Sequence, residues 1–482
     1  MAPATGLRTG EGPLGLSEDE RARLRARLEK AVRLARRERR PVLASISAAV
    51  DPALDASATV LAARGVGDAG VRGAEPAFCF EQPDRDGFAL AAIGEAAVAE
   101  GSGAGRFETV AAACRALSAG AFAEGADVTW VGGFAFAPEG GTTPEWASFA
   151  PARLTLPEVS IVRRGDEARM TVNVVAQGDE APEAVLERVD RRLASLVPAR
   201  MPLLDPDPVE SARVVSAAPP EHFEEAVRRA TERIAAGEMD KVVLAREVRV
   251  HAPRAHNAAA VYGALREAFP SCYCYLVASG DATFLGASPE LLVRRDGQRA
   301  QTVALAGTLR RSADPAVDRH LAEQLLSGER YREEQAIVTR RIERTLDPVS
   351  VWVAAADEPV VVKVQNVQHL GTPIRAQLAE PLPAVSLAGL LHPTPAVGGE
   401  PAHAALPVIP ALEGMDRGWY AGPVGWTDLA EDGEFCVALR CALIRDRVAH
   451  LYAGEGIVRD AVPAEELAAN EAKLQALLPL LT

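Results

Sequence analysis

The chain has 482 residues, of which 48% are hydrophobic and 24% are charged. This composition is ordinary for a globular protein and excludes an intrinsically disordered or collagen-like chain. With 52 basic and 66 acidic residues, the formal net charge is −14. So acidic a chain excludes binding of nucleic acid or an anionic membrane over a broad surface, and a site for a small anion would need a local cluster of positive groups.

The predicted elements begin with a helix after a loose, glycine-rich stretch over residues 1–16. Ser17 and Glu20 have the spacing of a capping box, and Pro41 ends the helix. Short apolar runs between Gly and Pro residues then predict strands, and a helix follows over 183–197. These strands are Val42–Ile46, Trp130–Phe136, Val159–Val162 and Met170–Val175.

A proline-rich stretch over 201–208 predicts a linker. It divides the chain into an N-terminal part, residues 1–210, and a catalytic region, residues 211–482, which we expect to form one compact unit. The second part is predicted to contain helices over 220–236, 257–268, 315–345 and 463–479, and strands over 241–250, 272–278, 282–287, 291–295, 300–305, 359–369, 420–426, 434–445 and 447–453. Strands and helices mix without a regular β-α-β order, which predicts α+β layers rather than a Rossmann sheet.

The cysteines include no C-x-x-C pair, which favours buried free thiols over disulfides or a zinc site. They are Cys79, Cys114, Cys272, Cys274, Cys436 and Cys441. No apolar run reaches the roughly 18 residues of a membrane helix, and the N-terminus lacks a signal-peptide pattern. We therefore expect a cytoplasmic protein without a membrane partner.

Two charged residues stand in apolar surroundings in the second part of the chain. Lys241 begins a predicted strand that is apolar on both faces. Partial burial would lower its pKa and let it act as a base, although a surface lysine at a strand start fits the same pattern. Glu290 is the only acid in a run of apolar and small residues, so desolvation should raise its pKa and suit it to act as a general acid. The alternative is a turn glutamate that pairs with Arg294 or Arg295.

Two further segments carry candidate binding groups. Arg440 alternates with apolar neighbours and is expected to point into a cavity. Gly454 and Gly456 would let backbone N–H groups approach an anion, although an ordinary strand pair with a glycine turn fits equally well. The charged segment over 325–335 is typical of a solvated helix face.

Taken together, these segments resemble the chorismate-utilising enzymes, a family that includes isochorismate synthase, salicylate synthase and the first components of anthranilate and aminodeoxychorismate synthase. The motifs run in family order from about residue 240 to 475 and read KVVLAR, FLGASPELLVRRDG, ALAGT, HLGTP, LLHPTPAVGG, GWYAGPVGW, ALRCALI and YAGEGIV. The N-terminal half matches more loosely, through TWVGGFAF and LTLPEV, and looks most like menaquinone-type isochorismate synthases. The resemblance implies an α+β fold of the anthranilate synthase component I type, with stacked antiparallel sheets flanked by helices.

The resemblance also implies roles. Lys241 would activate water for attack at C2 of chorismate, and Glu290 would protonate the leaving C4 hydroxyl. Lysine at 241, where amide-transferring members carry glutamine, favours water over ammonia, so no glutaminase subunit is expected. Magnesium would bridge a substrate carboxylate to Glu334 and Glu466. The chorismate site would be lined by Gly307, His369, Ala396, Tyr420, Arg440, Gly454 and Lys473.

The magnesium motifs depart from the family pattern. Tyr331 replaces an acid and Gln335 a histidine on the first metal helix, and Ala469 replaces a direct ligand on the last helix. Glu471 has the wrong spacing from Lys473 to substitute for it. We therefore expect a weakened magnesium site. The favoured function is isochorismate synthase, and the alternatives are salicylate synthase and a non-catalytic chorismate-binding paralogue.

Overall fold

A computed structural model describes residues 14–64, 75–125, 127–205 and 211–482. Most of the glycine-rich stretch over 1–16 and the last residues of the predicted linker, 206–208, lie outside the described residues. The first part of the chain contains α1 (Glu18–Glu38), β1 (Val42–Val50), α2 (Ala56–Ala63), β2 (Ala77–Gln82), β3 (Phe88–Ile93), β4 (Ala97–Gly101), α3 (Arg106–Ser118), β5 (Thr129–Phe134), β6 (Ala152–Leu156), β7 (Val159–Arg164), β8 (Glu167–Ala176) and α4 (Pro182–Ala194).

The second part contains most of the strands and helices that surround the candidate site. Its elements are β9 (Arg213–Ser216), α5 (Pro220–Ala235), β10 (Lys241–His251), α6 (Ala258–Ala268), β11 (Tyr273–Ser279), β12 (Ala282–Ser288), β13 (Leu291–Asp296), β14 (Arg299–Arg310), α7 (Pro315–Ser327), α8 (Glu329–Leu346), β15 (Ser350–Ala355), β16 (Val360–Lys363), β17 (Val367–Leu378), α9 (Ala384–Leu391), β18 (Gly399–Glu400), α10 (Ala402–Ala405), α11 (Ile409–Glu413), β19 (Pro423–Asp428), β20 (Gly433–Val437), β21 (Cys441–Arg445), β22 (Val448–Ile457) and α12 (Pro463–Leu474).

Within the described residues the strands form two antiparallel sheets of 12 and 10 strands. The larger sheet runs in the order β1-β8-β7-β3-β2-β11-β12-β21-β22-β10-β18, with β9 also paired to β10. The smaller sheet runs β15-β17-β14-β13-β20-β19-β5-β6-β4, with β16 paired to β17. Strands from residues 1–210 and from 211–482 contribute to both sheets, and they meet at the pairs β2–β11 and β5–β19. The architecture is α+β, as predicted.

The sheets stack because the strands of the larger sheet are apolar on both faces. On β2, Phe78 and Phe80 belong to the core between the two sheets, whereas Ala77 and Cys79 belong to a second core on the outer face. Helices such as α1, through Leu24, cover that outer face. Successive strand residues point to opposite faces, so a strand buried on both sides is a continuous apolar run. Each large side chain buried in this way contributes about 1.5–3 kcal/mol to folding.

The helix α1 begins where its capping box predicts. Glu20 N–H donates to Ser17 Oγ at 3.3 Å, and Ser17 N–H donates to Glu20 Oε2 at 2.8 Å. These two bonds satisfy backbone donors that the first helical turn leaves free.

Several predicted elements have different bounds from those expected. The strand expected over 359–369 is divided into β16 and β17, which pair with each other, and the helix expected over 463–479 ends at Leu474. The long helix over 315–345 is divided into α7 and α8, because Gly328 adopts an extended conformation with φ −69° and ψ 121°. The strand expected over 434–445 is divided into β20 and β21, because residues 438–440 leave the strand conformation, with φ 47° at Arg440, and carry the chain from one sheet to the other. The strand expected over 447–453 continues through the two glycines to Ile457, so Gly454 and Gly456 form strand rather than turn.

All six cysteines are free and buried, which confirms the prediction from their spacing. In the described parts of the chain, no helix is both long enough and apolar enough to cross a membrane.

Candidate active site

A cavity of about 210 Å³ lies among strands of both sheets and the helices α8 and α12. It brings together residues that are far apart in the sequence, and every residue predicted for the site lines it. These residues are Lys241, Glu290, Gly307, Glu334, His369, Ala396, Tyr420, Arg440, Gly454, Glu466 and Lys473. The cavity is large enough for a small organic molecule.

Glu290 and Arg440 lie on two neighbouring segments that carry the chain between the sheets. Glu290 joins β12 of the larger sheet to β13 of the smaller one, and Arg440 joins β20 of the smaller sheet to β21 of the larger one. The two crossings run side by side, since β12 pairs with β21 and β13 with β20. The Val437 N–H donates to Glu290 O, and the Ala287 N–H donates to Arg440 O, both at 3.1 Å. Paired backbone therefore fixes both residues at the cavity wall.

The Glu290 side chain is buried, with 3% of its surface exposed. Burial raises the pKa of its carboxyl to about 8, although Lys241 and Arg440 oppose this rise. Arg295 pairs with Asp432 at 2.9 Å rather than with Glu290. Glu290 is therefore a protonated carboxylic acid at neutral pH, which is the state that a general acid needs.

Lys241 is 1% exposed, which excludes the surface lysine that its sequence also allowed. Its Nζ lies 2.8 Å from Glu334 Oε1 on α8. The two side chains meet over Gly456, where a Cβ atom would lie 2.5 Å from Glu334 Oε1 and 2.9 Å from Lys241 Cε. The glycine thus makes room for the lysine and the carboxylate to approach each other.

Arg440 and His369 form a hydrogen-bonded pair in the cavity wall. Arg440 Nη2 donates to His369 Nε2 at 3.1 Å, because a guanidinium has no acceptor. Burial and the neighbouring charges of Arg440 and Lys473 hold the pKa of His369 well below its ordinary value. The ring is therefore neutral, and its Nδ1 proton faces Thr308 Oγ1 at 3.0 Å and Gly307 O at 3.3 Å.

Two features leave Arg440 ready for an anion. Its buried Nε has no hydrogen-bond partner among the described residues. Gly307 lies at a bulge between β14 and β17 with φ 66°. Its carbonyl oxygen faces His369, and His369 in turn orients Arg440. An unpaired guanidinium edge in a buried wall is a ready binding group for a carboxylate.

A buried ion pair supports the wall beneath Tyr420, and sequence reasoning missed it. The Nε atom of Arg417 donates to Glu413 Oε2 at 3.0 Å, and its Nη atoms donate to Val397 O at 2.8 Å and Val243 O at 2.9 Å. The guanidinium carbon also lies 5.7 Å from the centre of the Tyr420 ring. The available signal was the four-residue spacing of opposite charges at 413 and 417.

Three further acids that are not exposed line the same cavity, and each is paired with a cationic side chain; the exposed Glu465 lines it as well. Glu334 pairs with Lys241, Glu466 pairs with Arg330, and Glu455 Oε2 accepts from Lys473 Nζ at 2.8 Å. Burial raises the pKa of Glu466 to about 7, and the charge of Glu455 adds to this. Glu455 was not predicted for the site, although a lone acid between two glycines was the signal for it.

The three residues that depart from the family's magnesium motifs, Tyr331, Gln335 and Ala469, do not all line the cavity. Tyr331 and Ala469 line the cavity, so both substitutions fall within it. Gln335 instead donates to Ala304 O and Thr372 Oγ1, both at 2.8 Å, and links α8 to the smaller sheet. Glu471 is exposed and pairs with Arg246 at 3.5 Å, away from the cavity, as its spacing predicted.

A second group of possible metal ligands lies outside this cavity. Glu145, Glu247 and His450 have ligand atoms within 4.8 Å of one another. Glu247 Oε1 already accepts from Arg249 Nε at 2.6 Å and lies 2.7 Å from His450 Nδ1. This group does not line the cavity that holds the predicted site residues.

The chain is similar to known proteins over nearly its whole length. The family model described as "Chorismate binding enzyme" matches residues 27–482. The salicylate biosynthesis isochorismate synthase of Pseudomonas aeruginosa is 36% identical over 470 residues, which cover 94% of this chain and 93% of that protein. The isochorismate synthase MenF of Bacillus subtilis is 35% identical over 354 residues, 73% of this chain and 74% of that protein.

The similarity in sequence is matched by a similarity to a solved structure. The menaquinone-specific isochorismate synthase MenF from Escherichia coli superposes with a TM-score of 0.77 at 28% identity. The match covers 95% of this chain and 100% of that one. The extent of both the sequence and the structural match shows that the chain belongs to the chorismate-binding enzyme family.

Proposed function

We propose that this chain is an isochorismate synthase, which converts chorismate to isochorismate by adding water at C2 with loss of the C4 hydroxyl. The observation that carries the proposal is the burial of Glu290, which raises the pKa of its carboxyl to about 8, in the same cavity as a buried Lys241. An acid and a base in one enclosed site are what an exchange of hydroxyl groups requires. The relatives named above support the proposal, since their names include isochorismate synthase.

In its neutral amine form, after it has released its proton and parted from Glu334, Lys241 takes the proton from the attacking water as the bond from oxygen to C2 forms. The ring double bonds shift, the bond from C4 to its hydroxyl breaks, and Glu290 gives its proton to the leaving oxygen. One proton enters the protein and one leaves it, so the reaction balances without a redox partner. Water as the nucleophile requires no glutaminase subunit.

Positive groups of the cavity would hold the two carboxylates of the substrate. Arg440 offers its unpaired Nε–H edge, and Lys473 lies at the end of α12. His369 orients Arg440 through the bond to Nη2. A guanidinium can bind a carboxylate through two parallel hydrogen bonds, which fixes the orientation as well as the position of the ring.

Magnesium would be held by Glu334 and Glu466, and these oxygen ligands are the type that the ion prefers. When bound, the ion would neutralise a substrate carboxylate and fix its orientation. Tyr331 and Ala469 reduce the number of acids in the cavity, so we expect weaker binding than a full set of carboxylates would give. Lys241 pairs with Glu334 and Arg330 pairs with Glu466, so binding of the ion would require both carboxylates to turn toward it.

The test is incubation of the purified chain with chorismate, with and without magnesium, followed by chromatography of the products. Isochorismate is the expected product. Salicylate with pyruvate would identify a salicylate synthase instead, and chorismate binding without turnover would identify a non-catalytic paralogue. A Lys30→Gln variant, altered at an exposed position on α1, is the matched control for Lys241→Gln in the same assay.

A further inference from the structure

Glu455 is a buried acid that the proposed reaction does not use. It lies on β22 between Gly454 and Gly456, is 5% exposed, and lines the cavity together with Glu334 and Glu466. Its Oε2 accepts from Lys473 Nζ at 2.8 Å. Its Oε1 is buried and accepts no hydrogen bond from the described residues. A buried carboxylate oxygen without a partner is costly, so a ligand that engages it would stabilise the site.

The helix α12 lies along the part of β22 that carries Glu455. Lys473 Nζ donates to Gly454 O at 2.8 Å, and Asn470 Nδ2 donates to Ala453 O at 2.7 Å. Ala469, next to Asn470, lines the same cavity with only a methyl group. An acid on this strand therefore faces the space that an acid at position 469 would face.

The two oxygens of Glu455 differ in what they can do. Lys473 anchors Oε2, which limits the rotation of the carboxylate, whereas Oε1 keeps its lone pairs for another partner. Glu334 and Glu466 contribute two more negative charges to the same cavity. Carboxylates brought close together in a buried space repel one another, and a divalent cation between them removes that repulsion.

We infer that Glu455 is the third acidic ligand of a divalent cation held by Glu334 and Glu466, in place of the carboxylate that Ala469 lacks. Oε1 is the ligating atom, and Lys473 keeps Oε2. Binding requires Glu334 and Glu466 to rotate from Lys241 and Arg330 toward the ion. The inference rests on the proposed function, since it concerns the cation that would neutralise the substrate.

The test measures metal binding directly, on the full chain without chorismate. Mn²⁺ is titrated and followed by electron paramagnetic resonance, and Mg²⁺ is titrated by calorimetry. The Glu455→Gln variant is expected to raise the Kd for both ions about tenfold or more. The control is Glu471→Gln, an exposed glutamate on α12, which should bind as the wild type does. The double variant Glu455→Gln/Ala469→Glu should recover wild-type affinity, which also shows that the first substitution leaves the fold intact.

Unchanged Mn²⁺ affinity in Glu455→Gln would overturn the inference. So would a wild-type chain that forms isochorismate yet binds no Mn²⁺ at millimolar concentration, which would leave the proposed function standing. The expected affinities together with absent product formation would count against the proposed function alone, because the metal titrations contain no substrate.

Discussion

Two groups of residues line the cavity: Glu290, His369 and Arg440 are held by paired backbone, whereas Glu334, Glu455 and Glu466 come from two helices and a strand. We call these the crossing end and the carboxylate end. At the crossing end, Glu290 forms no salt bridge with any described residue, and burial raises the pKa of its carboxyl to about 8 although Lys241 and Arg440 oppose the rise. At the carboxylate end, each of these three acids has a cationic partner.

The difference shows how a site can tolerate change in one part and not in another. The position of Glu290 depends on where two strand pairs cross between sheets, so no neighbouring residue can replace it. An acid at the carboxylate end needs only to point into the cavity. A residue on a strand can therefore provide this carboxylate as well as a residue on a helix. Substitutions at 331 and 469 are therefore compatible with an intact crossing end.

The largest effect is expected at Lys241, which lies between the two ends. Lys241→Gln should lower the rate of isochorismate formation roughly 10²- to 10⁴-fold, because an amide cannot accept a proton from water. Initial rates measured by chromatography test this, with Lys30→Gln as the control. A near-normal rate in Lys241→Gln would reject the lysine as the base and weaken the distinction between the ends.

Glu290→Gln should reduce turnover by a similar factor, roughly 10²- to 10⁴-fold, while chorismate binding persists. The amide preserves the shape of the side chain but has no acidic proton to give. Calorimetric binding of chorismate and initial rates are measured together, and Glu267→Gln, at an exposed position on α6, serves as the control. If binding disappears with activity, Glu290 holds the substrate or the fold rather than donating a proton.

Arg417→Met should lower the free energy of unfolding by about 3–5 kcal/mol, because it leaves Glu413 buried without its partner. Unfolding in urea measures the loss. The double variant Glu413→Leu/Arg417→Met removes both charges and should recover most of the stability. A loss below about 0.5 kcal/mol in the single variant would contradict a supporting role for this pair beneath the cavity.

The pH dependence should identify the crossing end as the source of the acid. Glu290 donates only when protonated, and burial raises its pKa to about 8, so kcat/KM should fall as pH rises through that value. Above it the decline should be about tenfold per pH unit. A rate that stays constant from about pH 7 to about pH 9.5 would show that no group with this pKa limits the reaction.

The smallest effect is expected at the carboxylate end. Ala469→Glu should lower the magnesium concentration for half-maximal activity, by about tenfold or less, because the added carboxylate joins acids that are already present. Ala469 lies three residues after Glu466 and four before Lys473, so all three share a helix face. If the wild type saturates at the same low magnesium as the variant, the site is not weakened.

Local pattern was sufficient for the elements that carry the acid and the base. The strand predicted over 241–250 is observed as Lys241–His251, because its apolar residues serve two buried faces. The prediction for 434–445 was wrong in its middle, since an unbroken apolar pattern gives no sign that the chain crosses between sheets at Arg440. The break at Gly328 was missed for a similar reason. A single glycine is compatible with a continuous helix, and only the folded structure shows that Gly328 is extended.

Glu455 shows what sequence pattern leaves out. Its neighbours Gly454 and Gly456 were expected to let backbone N–H groups approach an anion, and in the structure Gly456 leaves room for the side chains of Lys241 and Glu334. The acid between them was not recognised, because its burial depends on α12 and Lys473, which are 18 residues away in the chain. The same holds for Arg330, whose partner Glu466 is 136 residues away.

The sequence by itself determined the family resemblance, the α+β class and eleven of the residues that line the cavity, because ordered motifs and apolar runs are local properties. Only the tertiary structure decided the protonation of Glu290, the ion pair of Lys241 with Glu334, and the orphaned oxygen of Glu455. These depend on desolvation and on charges from other strands and helices. The distances between these groups are fixed only when the two sheets and the two helices pack around the cavity.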